Sequence, residues 1–127
     1  MLEQAKENNW FVKVCDYNLA LAEKRVNNHP NGQAVKFDVN DSELRQSLIK
    51  ESDIVINLLA PTFQYQVALD CVMLGKHVIT ASYTDPRVAE LNNDAIKKDI
   101  LILNEMGLDP GIDHMSAMDV IEKVKIQ

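Results

Sequence analysis

Short apolar runs rich in β-branched residues alternate along this chain with segments of helical spacing, and that alternation leaves few folds open. The apolar runs are "WFVKVC" at 10–15, "AVKF" at 34–37, "DIVINLL" at 53–59, "HVITA" at 77–81 and "ILIL" at 100–103. Runs of this length and composition read as strands covered on both faces. Between them lie helical segments. Residues 19–28 follow Asn18, a good N-cap, and residues 41–51 follow Asn40, with Glu43 placed for a capping box. Residues 63–74 carry Phe63, Val67, Cys71 and Leu74 on one stripe and stop at Gly75. Residues 86–98 start at Asp85 and Pro86, and residues 114–124 follow Asp113 and carry Met115, Met118, Ile121 and Val124. Strand and helix alternating in this way predict a parallel sheet with helices on both faces.

Several function classes are disfavoured before any motif is read. The chain has 127 residues, so one domain with a modest core is expected, and a net charge of -6 argues against a nucleic-acid surface, which wants clustered Lys and Arg. No apolar run is long enough for a membrane span, and the polar start "MLEQAKENNW" lacks the apolar stretch of a signal peptide. Cys15 and Cys71 form no metal-ligand spacing with the histidines and read as core residues of a reduced, cytoplasmic protein with no metal.

In an open parallel sheet, ligands bind beyond the carboxyl ends of the strands. The residues standing there are Asp16, Asp38, the stretch "LLAPT" at 58–62, Ser82 with Tyr83, and Asp109. In dinucleotide-binding folds an acidic residue ends the second strand and meets the adenosine ribose, about 20 residues after a GxGxxG loop. Asp16 suits that place, but no GxGxxG occurs in the chain. "EQAKEN" near the start reads as the tail of a helix without its strand. The expected fold is therefore α/β, a Rossmann-like doubly wound parallel sheet lacking its first strand and glycine-rich loop. Removal of that strand would leave two neighbouring strands with unpaired edges. Asp16 can equally serve only to start a turn. Tyr83 can be a ring packed on the sheet rim, and Asp109 in "LDPG" can hold a tight turn in which Pro110 fixes φ and Gly111 supplies φ > 0. His114 beside Asp113 reads more readily as a solvated histidine than as a proton carrier.

"VINLLAP", "VITASYTDP" and above all "NEMGLDPGIDHMSAMDVIEKV" resemble the glutamate-forming saccharopine dehydrogenases, across roughly residues 10–124. The resemblance implies an NAD(P)-dependent oxidoreductase of lysine metabolism that interconverts saccharopine with glutamate and aminoadipate semialdehyde. It implies that Cys15, Asp16 and Tyr17 face the adenosine ribose, that Asp38 and Val39 meet the adenine, and that Leu59 lies along the cofactor. Ala81 and Ser82 then approach the nicotinamide half, walled by Leu108, Asp109 and Pro110, and Ser82, Tyr83 and Asp109 also touch saccharopine. Asp109 and Tyr83 are the candidates for proton transfer. The acidic Asp16 favours NAD, with NADP also open. By this likeness residues 1–127 are part of a dinucleotide-binding domain, inactive alone, whose substrate and dimerisation domain is absent; a homo-oligomer follows from the same likeness. A related carboxynorspermidine dehydrogenase and a non-catalytic nucleotide-binding module stay open as alternatives.

Overall fold

Local capping chemistry sets the helix starts. In the computed structural model, which describes residues 1–125, the Asn18 side chain accepts from Ala20 N at 3.1 Å and opens α2, Leu19–Val26. Asp85 accepts from Arg87 N at 2.8 Å and opens α5, Pro86–Glu90. Between 38 and 45 the sequence expectation is off by one residue. The cap of α3, Ser42–Lys50, is Asp41, whose carboxylate accepts from Leu44 N at 3.0 Å, and Asn40 serves the preceding turn. Both residues are good caps, so composition does not separate them.

The remaining elements are α1, Leu2–Ala5; β1, Val12–Asp16; β2, Gly32–Lys36; β3, Ile54–Asn57; a 3₁₀ turn, Pro61–Phe63; α4, Gln64–Leu74; β4, His77–Thr80; α6, Asn92–Lys97; β5, Ile102–Leu103; and α7, Ile112–Lys125. All five expected strands are present and every pairing is parallel. The pairings form two sheets, β1-β2 and β3-β4-β5, in two compact units that meet in sequence at Arg45 and Gln46. Among the described residues β1 pairs with β2 alone and β3 with β4 alone.

In the first unit Ala5, Ala22, Val26 and Val39 are buried. In the second, Ala68 and Val72 of α4 pack with Val88, Leu91 and Ala95 from α5 and α6, and Leu69, Ile100 and Ile102 border them. Two expectations change here. The strands are not covered on both faces: β1 is half-buried throughout, and Ile54 and Ile56 of β3 are exposed. The stripe on α7 is real as a pattern, but Met115, Met118, Ile121 and Val124 are all exposed, and no residue of this helix is buried. Helical spacing defines a face; it does not supply the partner that covers it.

Candidate functional site

In the first unit two carboxylates end adjacent strands. Asp16 and Lys36 are register partners, and Phe37 N donates to Asp16 O at 2.8 Å. Each acid makes the same turn. Asp16 Oδ1 accepts from Asn18 N at 2.8 Å, and Asp38 Oδ1 accepts from Asn40 N at 2.9 Å. The turn reading is realised at both acids: one oxygen of each carboxylate shapes its turn, and a carboxylate has a second oxygen that can accept. Such acceptors suit ribose hydroxyls and the adenine amino group. Tyr17 is well exposed. Val39 is a core residue, and its carbonyl accepts from the Arg45 guanidinium, so its side chain is turned away from solvent.

Cys15 is half-buried and its thiol pKa is raised by burial, against the pull of Lys13. Cys71 is fully buried, and burial with the Asp70 charge pushes its thiol up to about 12. Neither is a nucleophile at neutral pH. Among the described residues no cluster of His, Cys, Asp or Glu could hold a metal ion.

In the second unit the loops after β3, β4 and β5 are tied together. Glu105 occupies a left-handed backbone conformation at φ 64°. Its N–H donates to Ser82 O at 3.1 Å, and its carboxylate accepts from Thr84 N at 3.1 Å and from the Thr84 hydroxyl at 3.0 Å. Met106 N reaches Thr80 O at 3.0 Å. Gly107 then lies so close to the end of β4 that a Cβ there would stand 2.9 Å from Ala81 O. Gly107 N donates to Pro110 O at 2.9 Å, which closes the turn over Leu108 and Asp109. Gly111 has φ 143°, a backbone conformation in which an L side chain is strained. The turn buries Pro110 and leaves Leu108 and Asp109 exposed at its tip.

This folding carries Asp109 to Tyr83, whose hydroxyl donates to Asp109 Oδ1 at 2.7 Å. The hydrogen bond to Asp109 raises the Tyr83 pKa, with desolvation and neighbouring carboxylates adding to the effect. At neutral pH Tyr83 is thus a phenol that donates, while the second carboxylate oxygen of Asp109 is left to accept. Asp109→Ala, which removes both the acceptor and the charge, should lower the Tyr83 titration midpoint. Phenolate absorbance, followed against pH with Tyr83→Phe as the assignment control, will show whether it does; an unmoved midpoint would mean that the pair is not formed in solution. His114 is exposed, with Nδ1 2.8 Å from Asp113 Oδ1, the solvated arrangement favoured by the sequence.

Sequence reasoning passed over Asn57 and Gln64, both buried polar residues. Asn57 Oδ1 accepts from Leu59 N at 3.1 Å, and its Nδ2 donates to Gln64 Oε1 at 3.2 Å. Gln64 Nε2 donates to Leu59 O at 3.2 Å and to Ser82 Oγ at 3.1 Å. The only signal in the sequence is an Asn inside the apolar run "DIVINLL". Through this network the backbone of Leu59 is fully held and Ser82 is fixed beside it.

Parallel strands with acceptor carboxylates and turn residues at their carboxyl ends define a dinucleotide-binding α/β module. The chain belongs to the saccharopine dehydrogenase NADP-binding domain family: the family model described as "Saccharopine dehydrogenase NADP binding domain" matches residues 1–103. NADP, which the sequence left open beside NAD, is the cofactor named by that description. The NADP(+)-dependent, L-glutamate-forming saccharopine dehydrogenase of Schizosaccharomyces pombe is 41% identical over 97% of this chain. An alpha-aminoadipic semialdehyde synthase of Arabidopsis thaliana is 40% identical over 98% of it. The solved apo structure of the L-Glu-forming saccharopine dehydrogenase from Saccharomyces cerevisiae superposes with a TM-score of 0.83 at 32% identity, over 97% of this chain. The chain spans 27% of the S. pombe protein and 12% of the A. thaliana one. No helix among the described residues is long and apolar enough to cross a membrane.

Proposed function

We propose that this chain is the dinucleotide-binding part of a saccharopine dehydrogenase, which interconverts saccharopine with glutamate and aminoadipate semialdehyde in the cytoplasm, as a homo-oligomer, with further substrate contacts supplied by a second domain. The observation that carries the proposal is the Tyr83–Asp109 hydrogen bond at 2.7 Å, on a turn held against the end of β4. NADP, when bound, supplies the hydride acceptor for the carbon beside the secondary amine. Asp109 orients that amine and takes up its proton at the carboxylate oxygen not used by Tyr83. Tyr83 holds the carboxylate in place. Leu108 and Pro110 wall the nicotinamide pocket, Ala81 and Leu59 line the cofactor, and Ser82 donates to a ligand oxygen. Cys15, Asp16 and Tyr17 meet the ribose, and Asp38 the adenine. The free acceptor oxygens of Asp16 and Asp38 fit those hydroxyl and amino donors.

The same Asp16 carboxylate opposes a 2′-phosphate. Its backbone bond to Asn18 spreads the charge but does not remove it, and the first cations after it in sequence are Lys24 and Arg25, in the last turn of α2. Asp16→Asn keeps the turn and deletes the charge. It should raise NADPH affinity about tenfold relative to NADH, the scale of one charge pair near a protein surface. Calorimetric titration of both dinucleotides against both proteins tests this. Binding of neither dinucleotide by the parent protein would reject the functional proposal, and an unchanged NADPH/NADH ratio in Asp16→Asn would remove Asp16 from the ribose site.

A further inference from the structure

We infer that Gln64, through its side-chain amide, fixes the Ser82 hydroxyl as a hydrogen-bond donor to the bound ligand, so that the ligand atom above Ser82 is an accepting oxygen of a carboxylate or carboxamide. The inference rests on the proposed function for the ligand's identity, and on this chain's own hydrogen bonds for the direction of donation. Leu59 offers a backbone N–H, which can only donate, and a carbonyl, which can only accept. The N–H is 3.1 Å from Asn57 Oδ1, so the Asn57 oxygen must face it and its Nδ2 must face Gln64, 3.2 Å away. The carbonyl is 3.2 Å from Gln64 Nε2. Reversing the Gln64 amide would set two oxygens together at Leu59 and two NH₂ groups together at Asn57. Both amides are therefore oriented by Leu59, inside a network where Asn57 and Gln64 are each only 4% exposed.

The second Nε2 proton of Gln64 then points at Ser82 Oγ, 3.1 Å away. Ser82 Oγ must accept, and its own proton turns elsewhere. The Ser82 backbone is also committed: its N–H reaches Thr80 Oγ1 at 3.3 Å and its carbonyl receives Glu105 N. The hydroxyl proton is the one polar group of Ser82 with no partner among the described residues, and the side chain is half-exposed. Gln64 is thus a positioning residue that sets the polarity of Ser82 without touching the ligand.

A double-mutant cycle in the full-length protein tests this, with NADPH and NADH affinity as one arm and the KM for saccharopine as the other. Ser82→Ala should weaken one arm about tenfold, the value of one hydrogen bond. Gln64→Met, which removes both donors at similar volume, should weaken the same arm about as much, and should change it less than about twofold when Ser82 is already Ala. Coupling in the dinucleotide arm places the accepting oxygen on the dinucleotide, and coupling in the saccharopine arm places it on saccharopine. Additive effects in both arms would overturn the inference. So would a Ser82→Ala protein with both arms unchanged, a test that holds even if Gln64→Met does not fold. A parent protein that binds neither dinucleotide would instead bring down the functional proposal, and this inference with it.

Discussion

Asp109→Asn should lower the rate of saccharopine oxidation by roughly 10²–10⁴-fold, the range for loss of a general acid–base group. The substitution is unusually clean here. Tyr83 donates to Asp109 Oδ1, and an Asn oxygen in that place accepts the same bond, so the turn and the Tyr83 contact are kept while the charge is lost. Tyr83→Phe removes only the bond that holds the carboxylate and should cost about tenfold or less. An Asn variant within a few-fold of the parent would reduce Asp109 to a turn residue and leave Tyr83 as the candidate.

Gly111→Ala should be the most destabilising single methyl that can be added at a glycine in this chain. Its Cβ would stand 2.2 Å from Gly107 O and 2.8 Å from both Glu105 O and Gly107 N. All three are backbone atoms, and φ at this residue is 143°, where an L side chain is strained. Relief requires the turn to open, which breaks the bond from Gly107 N to Pro110 O and releases Asp109 from Tyr83. A loss of at least about 2 kcal/mol is expected, within the range for strain at a special backbone position. Gly75→Ala is the control. It shares a positive φ, 68°, but nothing lies within 4 Å of its Cβ, so about 1 kcal/mol is expected. Urea unfolding of both variants measures the difference. Equal costs would show that the 104–113 turn is looser in solution than its packing indicates.

The parts of this architecture that were legible are those set by neighbouring residues. Asn18 and Asp85 cap because they precede helical spacing, and Gly75 ends α4 because glycine takes positive φ without strain. The same locality misled where two caps stood together, at Asn40 and Asp41. It also hid the break within 86–98, where α5 ends at Glu90 and α6 begins at Asn92; Asn92, Asn93 and Asp94 are residues that compete with helical backbone bonding. The strand-end acids and the Gly-Leu-Asp-Pro-Gly turn were readable as candidates because a strand's carboxyl end is where ligands bind. Asn57, Gln64 and Glu105 were not, since their roles depend on groups brought close by the pairing of β3 with β4 and β4 with β5. A buried Gln at the start of a helix looks in sequence like a solvated one. Nor does sequence spacing reveal that the α7 stripe is exposed, because coverage is a property of the neighbour.

In the proposed function, hydride leaves saccharopine at a site whose proton acceptor is carried on the 104–113 turn. The most direct measurement is the product analysis of the full-length protein incubated with saccharopine and NADP. Glutamate and aminoadipate semialdehyde formed in equal amounts with NADPH, and slowed together in Asp109→Asn, is the predicted result. A protein that binds NADPH but leaves saccharopine unchanged, or that oxidises carboxynorspermidine instead, would contradict it.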